Sequence, residues 1–405
     1  MEIEIEIKIK IKIKIKIKIK TEMQQLIFSA AILLTPLFAH GQNNADLLGS
    51  EHILFWTPEQ QESGYSSIAD LGNTRLIKAS ENSLNLPTSD GSLAGFQHSY
   101  KGKVSSIDDF MQRTRAAGLL VIHDQQIALE KYALGHTEDK PWISFSVAKS
   151  VVSLLFGAAI KDGLIKDVNE RVTDYLPHLK GGAYTDVRIK DLLQMASGAA
   201  WNEDYADPNS DVANAPYGPP ALFTYMNKLE KKSPAGDVFN YNTGETSVAG
   251  ALLRAAVGNN LSVYLQRKIW QPFGMESDGN WLLSAADGEE IGGCCISATL
   301  RDYGRLGLFA LGNGRLADGT SVLPDGWISQ STAASKGSKG YGYYWWLQEE
   351  GAYAAEGVFG QFIWIDPSRN VVIAMQSAWP TAWDDAYEAE VIGLFQEIAT
   401  KLDAR

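Results

Sequence analysis

The chain has 405 residues, of which 45% are hydrophobic and 21% are charged, and its formal net charge is −12. This length predicts two or three domains, or one domain that carries a large insertion. The composition is typical of a globular protein. The negative net charge argues against a nucleic-acid-binding surface, which requires basic patches.

The N-terminus contains two segments that we set apart from the folded domain. Residues 1–22 alternate Ile with Glu and then Ile with Lys, a low-complexity pattern for which we expect disorder. Residues 23–41 are typical of a signal peptide, because the apolar run from Leu26 to Phe38 is too short to span a bilayer comfortably and is followed by small residues. The sequence therefore predicts export to the periplasm or the medium, without a stable membrane anchor.

The following elements are predicted in chain order. Residues 42–117 form a lead-in region of mainly loops, and residues 119–123 and 127–132 form a β-hairpin. Apolar residues at three- and four-residue spacing then predict a helix that begins near Ser146 and ends at Gly163. Residues 165–335 are mainly helices and loops, with the clearest helical patterns at 189–195, 246–257 and 300–311. Strands follow at 341–347, 359–365 and 371–376, and a helix at 386–402 closes the chain.

This order predicts an α/β (α+β) architecture with an antiparallel sheet flanked by helices. Strands from both ends of the chain must share one sheet, so residues 118–160 and 336–405 form the sheet domain. Residues 161–335 form a large helical insertion lobe. We expect a cleft between the sheet domain and the insertion lobe, and ligand sites tend to lie in such clefts.

Many aromatic residues lie in the C-terminal third, among them Tyr341, Trp346, Trp364 and Trp383. Their pattern favours packing in strands and core. The alternative is that some of them line an apolar substrate cleft.

The two cysteines, Cys294 and Cys295, are adjacent. Neighbouring cysteines form a disulfide only with strain, so we expect no structural disulfide. The sequence has no cluster of Cys and His at metal-ligand spacing. It therefore implies neither a metal nor an organic cofactor.

A Ser-x-x-Lys pattern, Ser146-Val-Ala-Lys149, opens the first predicted helix. Residues three apart share one face of a helix, so the Lys149 amine can reach the Ser146 hydroxyl. Unpaired N–H groups at the helix N-terminus would lower the pKa of the lysine and help to hold an oxyanion. The alternative is that Ser146 only caps the helix and Lys149 is solvated.

Tyr241 lies in an aromatic loop, Phe239-Asn-Tyr241-Asn-Thr243, just before another apolar helix. A tyrosine there can act as a second proton carrier, or it can be an ordinary loop residue. A Ser-His-Asp triad is disfavoured, because only His178 follows Ser146 and the chain has no Gly-x-Ser-x-Gly motif.

Taken in order, these motifs resemble a known family. The chain is similar to the serine hydrolases that share the β-lactamase and penicillin-binding-protein fold, and within them to the 6-aminohexanoate-dimer hydrolase and family VIII esterase branch. The motifs that carry the resemblance are Trp142-Ile-Ser-Phe-Ser-Val-Ala-Lys-Ser150, Asp191-Leu-Leu-Gln-Met-Ala-Ser-Gly198, Trp201-Asn-Glu-Asp-Tyr205, Phe239-Asn-Tyr241, Gly292-Gly293, Arg301-Asp302 and Gly357-Val-Phe-Gly-Gln361.

The resemblance implies a role for each matching residue. Ser146 is the nucleophile, Lys149 its base, and Tyr241 carries a proton to the leaving group. The backbone N–H groups of Ser146 and Val358 form the oxyanion hole. Tyr205 matches a tyrosine that contacts substrate.

The chain departs from the family pattern at two substrate-binding positions. The third motif is usually Lys-Thr-Gly, or His in place of Lys, but here it reads Ala355-Glu356-Gly357. Glu356 would repel the carboxylate of a β-lactam, so we expect a neutral or cationic substrate. Thr243 stands where the family usually has Asn and keeps a hydroxyl without the amide.

The sequence thus predicts a secreted serine hydrolase that forms an acyl-enzyme on Ser146 and cleaves small carboxylic esters or linear amides. One alternative is a β-lactamase or a D-amino-acid peptidase. Another is a binding or sensor protein of the same fold without turnover. The expected partner is a small-molecule ester or amide, and the sequence indicates no oligomeric state.

Overall fold

A computed structural model describes residues 52–404, apart from Asp90 and Ser92. The predicted extension (1–22) and signal peptide (23–41) lie outside the described residues. Within that part of the chain, no helix is both long and apolar enough to cross a bilayer.

The described residues form twelve strands. In chain order they are β1 (Thr74–Ile77), β2 (Gln97–Tyr100), β3 (Lys103–Ser106), β4 (Ala116–His123), β5 (Gln126–Tyr132), β6 (Trp142–Ile143), β7 (Gly279–Leu282), β8 (Ile296–Ala298), β9 (Trp346–Leu347), β10 (Tyr353–Gly357), β11 (Gln361–Asp366) and β12 (Val371–Ser377).

The same residues form fourteen α-helical segments. They are α1 (Pro58–Gly64), α2 (Ile68–Leu71), α3 (Ile107–Arg113), α4 (Val147–Lys161), α5 (Val172–Tyr175), α6 (Ile189–Leu193), α7 (Asp211–Asn214), α8 (Ala221–Asn227), α9 (Thr243–Val257), α10 (Leu261–Leu265), α11 (Gln271–Phe273), α12 (Leu300–Leu311), α13 (Trp327–Ser331) and α14 (Asp385–Asp403). Short 3₁₀ turns occupy Ile53–Phe55, Pro177–Leu179 and Glu349–Gly351, and a π turn occupies Gln266–Trp270.

The main sheet has six antiparallel strands in the order β5-β4-β12-β11-β10-β9. β4 pairs with β12, with Val121 opposite Ile373. This pairing confirms the prediction that strands from both ends of the chain share one sheet. The long apolar runs of β4 and β12 are buried on both faces, which explains why they stand out in the sequence.

A second sheet has the order β1-β7-β8-β6, and β2 and β3 form a separate hairpin. The sequence predicts loops where β1 to β3 lie, and helices or loops where β7 and β8 lie. These strands have three or four residues each. Such short segments give no sustained alternation, so their strand character depends on pairing between distant parts of the chain.

Helix α4 holds the site in place. Its residues from Val147 to Ala159 are all buried, as expected for a helix that is apolar all round. It packs against α9 on one side and against β10 and β11 on the other. Segments from the middle and from the C-terminal part of the chain therefore meet around this helix.

Candidate active site

Ser146 is the N-cap residue of α4 and is buried. The residue before it, Phe145, has a φ of +42°, a conformation that bulky side chains rarely adopt. The Phe145 ring packs against Phe359 and Tyr65, with ring centroids 5.2 Å away in each case. Phe359 also has a positive φ, of +61°. Aromatic packing therefore holds two strained residues on either side of the site, a typical feature of functional sites.

Lys149 lies one turn along α4 from Ser146, and its amine is 2.8 Å from the Ser146 hydroxyl oxygen. The amine also lies 3.1 Å from Thr243 Oγ1 and 2.8 Å from the Gly293 carbonyl oxygen. Burial lowers the pKa of Lys149 to about 8, although the charge of Glu203 opposes this shift. The lysine can therefore lose its proton near neutral pH, which a general base requires.

The Tyr241 ring lies beside the same amine, with the Lys149 nitrogen 5.2 Å from the ring centroid. The ring stacks on Trp346 at a centroid distance of 5.7 Å. Burial, and then the charge of Glu203, raise the pKa of the Tyr241 phenol. The environment thus lowers the pKa of the Lys149 amine and raises the pKa of the Tyr241 phenol. The amine therefore gives up its proton more easily, and the phenol keeps its own.

Glu203 is a site residue that the sequence analysis did not select. Its carboxylate accepts hydrogen bonds from the Thr243 hydroxyl and, at 3.0 Å, from the Thr243 N–H. It also accepts from the Trp201 indole and, at 2.6 Å, from the Tyr205 hydroxyl. Its position inside the Trp201–Tyr205 motif was the feature of the sequence that could have identified it as a site residue. Thr243 thus links the Lys149 amine to a carboxylate.

The end of β10 lies against the nucleophile. A Cβ atom added to Gly357 would lie 2.5 Å from the Ser144 carbonyl oxygen and 3.1 Å from the Ser146 amide nitrogen. Only glycine allows this approach, which brings the following residue, Val358, to the wall of the site. The two amides of the predicted oxyanion hole are therefore carried by adjacent pieces of backbone.

Two cavities meet at Ser146, and Tyr205 and Val358 line both of them. The first, which we call the apolar cavity, has a volume of about 260 Å³. Its walls are His52, Ile53, Leu54, Ile68, Phe145, Ser146, Tyr205, Val212, Tyr217, Thr243, Leu282, Ile291, Gly293, Cys294, Cys295 and Val358.

The second cavity, which we call the acidic cavity, has a volume of about 180 Å³. Its walls are Ser146, Glu203, Tyr205, Tyr241, Trp346, Glu356, Val358 and Trp383. Two of the C-terminal aromatic residues thus line a cleft, whereas Tyr341 and Trp364 are buried in the core.

Glu356 is buried in β10 and faces the acidic cavity. Gln348 Nε2 donates to its Oε1 at 2.9 Å, while Oε2 has no hydrogen-bond partner among the described residues. Burial and then the nearby charge of Glu388 raise the pKa of the Glu356 carboxyl well above its ordinary value. The carboxyl therefore holds, in the wall of the acidic cavity, a buried oxygen without a partner in the described part of the chain.

The structure places the sulfur atoms of the adjacent residues Cys294 and Cys295 in direct contact. The expectation that this pair forms no structural disulfide stays a prediction. Both cysteines line the apolar cavity, directly after the Gly293 carbonyl that accepts from Lys149. Adjacency in sequence does not prevent the two sulfur atoms from meeting when a turn brings them to the same side.

With the geometry known, comparison with a protein family decides the assignment. The family model described as Beta-lactamase matches residues 104–397. The chain belongs to the beta-lactamase family. The match spans both parts of the sheet and includes Ser146, Lys149, Tyr241 and Val358, which confirms the family and fold expected from the motifs.

Individual proteins that resemble this chain in sequence or structure are consistent with that family. The chain is 26% identical over 330 residues to the 6-aminohexanoate-dimer hydrolase of Paenarthrobacter ureafaciens, covering 75% of this chain and 82% of that one. A structure from Bacillus anthracis assigned as a 6-aminohexanoate-dimer hydrolase superposes with a TM-score of 0.77 at 20% identity, over 91% of this chain and 99% of the other. The structure of a family VIII carboxylesterase superposes with a TM-score of 0.53 at 16% identity, over 71% of this chain and 95% of the other. The structural likenesses support the fold, and the family supports a serine hydrolase.

Proposed function

We propose that this chain is an exported hydrolase that forms an acyl-enzyme on Ser146 and cleaves small carboxylic esters or linear amides. The observation that carries the proposal is the buried Lys149 amine, 2.8 Å from the Ser146 hydroxyl, with its pKa lowered to about 8. An amine of this kind activates a serine without a histidine.

In the acylation step, Lys149 takes the hydroxyl proton while Ser146 Oγ bonds to the substrate carbonyl carbon. The N–H groups of Ser146 and Val358 stabilise the oxyanion of the tetrahedral intermediate. Tyr241 then gives its proton to the departing oxygen or nitrogen as that bond to carbon breaks, and the Lys149 ammonium restores the phenol proton. In deacylation, Lys149 takes a proton from water as the water oxygen bonds to the acyl carbonyl carbon. The bond between that carbon and Ser146 Oγ then breaks, the Lys149 ammonium returns the proton to Oγ, and the carboxylic acid leaves.

Steady release of p-nitrophenol from p-nitrophenyl acetate or butyrate tests the proposal. We expect turnover in the wild type and none in Ser146→Ala. Ser153→Ala makes the same change on the same helix, at a buried serine outside both cavities, and should retain activity. A single stoichiometric burst would indicate the sensor alternative, and no reaction would indicate a binding protein.

Substrate choice in the acidic cavity depends on Glu356. We propose that this residue favours a leaving group that is neutral or carries an amine, and disfavours one with a carboxylate. Burial favours the neutral form of Glu356, and a bound ammonium would stabilise its charged form, whereas a bound carboxylate would not. The support is the unpaired Oε2 of Glu356 in the cavity that also holds Tyr241. The relative from Paenarthrobacter ureafaciens is named for the 6-aminohexanoate dimer, so a panel of that dimer, short esters and nitrocefin separates the options. For an amine-bearing substrate, an equal rate in wild type and Glu356→Gln would refute this role.

Export is part of the proposal and rests on residues 23–41 alone. Expression from Met23 in a bacterial host should give a mature chain that begins near Gln42. Mass spectrometry of the purified protein measures this directly, and an uncleaved chain in the cytoplasm would contradict it.

A further inference from the structure

We infer that the apolar cavity binds the acyl part of the substrate, and that this part is an uncharged aliphatic chain of medium length. The inference rests on the proposed function, because it assumes that the bond cleaved is the one between an acyl group on Ser146 and a leaving group. It adds a substrate class that the catalytic residues alone do not define.

The orientation follows from where Tyr241 lies. The phenol lines the acidic cavity and not the apolar cavity, whereas Ser146 and Val358 line both. A leaving group must lie beside the residue that protonates it, so the acidic cavity receives the leaving group. The rest of the substrate then extends from the Ser146 oxygen into the apolar cavity.

The chemistry of the walls defines the acyl chain. Among the described residues that line the apolar cavity there is no Asp, Glu, Lys or Arg. The His52 ring is the basic group present, and burial lowers its pKa, which favours the neutral form. An ammonium or carboxylate at the end of the acyl chain would lose its hydration there without gaining an oppositely charged partner among the described lining residues.

The volume of the cavity limits the length of the chain. A cavity of about 150 Å³ with aliphatic and aromatic walls holds one benzene molecule, which has six heavy atoms. The volume of about 260 Å³ therefore accommodates roughly ten heavy atoms on the same scale. An acyl chain of about eight carbons fills this space, because part of the volume lies at the open end.

Four residues from the start of the described chain line the apolar cavity, namely His52, Ile53, Leu54 and Ile68. His52 Nε2 lies 3.2 Å from the hydroxyl oxygen of Tyr217, another residue of the cavity wall. This contact joins the start of the described chain to a distant segment at the cavity. Residues that precede the family match at 104–397 thus set the size of the acyl site.

The test measures kcat/KM for p-nitrophenyl esters of straight-chain acids from two to sixteen carbons, with the leaving group constant. Each buried methylene should raise kcat/KM by about three- to fourfold, with a maximum near eight carbons and a fall beyond it. A 6-aminohexanoyl ester should react at least about tenfold more slowly than the hexanoyl ester.

Two variants of one wall residue should move the maximum in opposite directions. Leu54→Trp fills the cavity and should shift the maximum to about four carbons, whereas Leu54→Ala should shift it to longer chains. Leu76→Trp is the matched control, because Leu76 is exposed and outside the cavity, and it should leave the maximum unchanged.

The outcomes separate the two proposals. Loss of all ester turnover, or turnover that survives in Ser146→Ala, would refute the proposed function itself. Turnover that depends on Ser146 but shows a flat chain-length profile, equal rates for the aminohexanoyl and hexanoyl esters, or no shift in the Leu54 variants would overturn the acyl assignment alone. A preference for long alcohols in a series of acetate esters would show the reverse orientation and overturn it as well.

Discussion

Replacing Glu203 with Gln should move the acid limb of the pH profile to lower pH. The Glu203 carboxylate is one hydroxyl away from the Lys149 amine, because Thr243 Oγ1 contacts both groups. Its negative charge stabilises the charged ammonium and so raises the pKa of Lys149. Glu203→Gln removes that charge while retaining an oxygen that accepts hydrogen bonds.

The magnitude follows from the separation of the charges. At roughly 5 Å and an effective dielectric constant of about 20, two unit charges interact by about 3 kcal/mol. That energy corresponds to about two pKa units. Glu203 is only partly buried, so solvent screening reduces the effect, and we expect a shift of about one unit.

The assay is kcat/KM for a p-nitrophenyl ester between pH 5 and 10, which reports the free enzyme. Activity requires neutral Lys149, so the wild type should lose activity as pH falls through about 8. The variant should retain activity to a pH about one unit lower. Asp204→Asn removes one negative charge from the next, exposed residue and should leave the limb in place. An unmoved limb in Glu203→Gln, or one at higher pH, would refute the reasoning.

Three further predictions concern the structure around the site. Gly357→Ala should lower kcat by about 10²-fold with little change in KM, because its Cβ would lie 2.5 Å from the Ser144 carbonyl oxygen and must displace the oxyanion hole; steady-state kinetics measures this, and unchanged kcat would contradict it. Phe359→Ala should likewise lower kcat and also the melting temperature, because it removes the ring against Phe145; a melting temperature that falls without a change in kcat would show that the ring only packs. Glu245 is buried, and burial raises its pKa from 4.5 to about 8, so the folded protein holds a proton that the unfolded chain releases between these values. Stability should therefore fall as pH rises from about 5 to 8, and this fall should be smaller in Glu245→Gln; thermal melts of the wild type and the variant at both pH values test this, and an equal fall in melting temperature in the two proteins would exclude it.

The contact between Ser146 and Lys149 could be predicted from sequence because its geometry is local. Ser146 and Lys149 lie three residues apart on one helix, so helical spacing alone brings them together. The β4–β5 hairpin and α12 were predicted for the same reason, since each shows its periodicity within a single short segment.

The rest of the site depends on contacts between distant segments. Glu203 reaches Lys149 only through Thr243, and Trp346 reaches Tyr241 from the other end of the chain. The wall formed by Ile53 and Leu54 depends in the same way on the packing of the N-terminal segment across the fold. The periodicity of a single segment does not predict contacts of this kind. Tyr241 and Val358 were selected as site residues from the motif resemblance, because residue spacing alone does not identify them.

The pairing of β4 with β12 has a consequence for synthesis of the protein. Ser146 leaves the ribosome early, but Val358 and the strands that support it are among the last parts to be translated. A nascent chain therefore carries Ser146 before the strand pairs that position Val358 have formed. On the proposed mechanism, such a chain holds the serine without the second amide of its oxyanion hole.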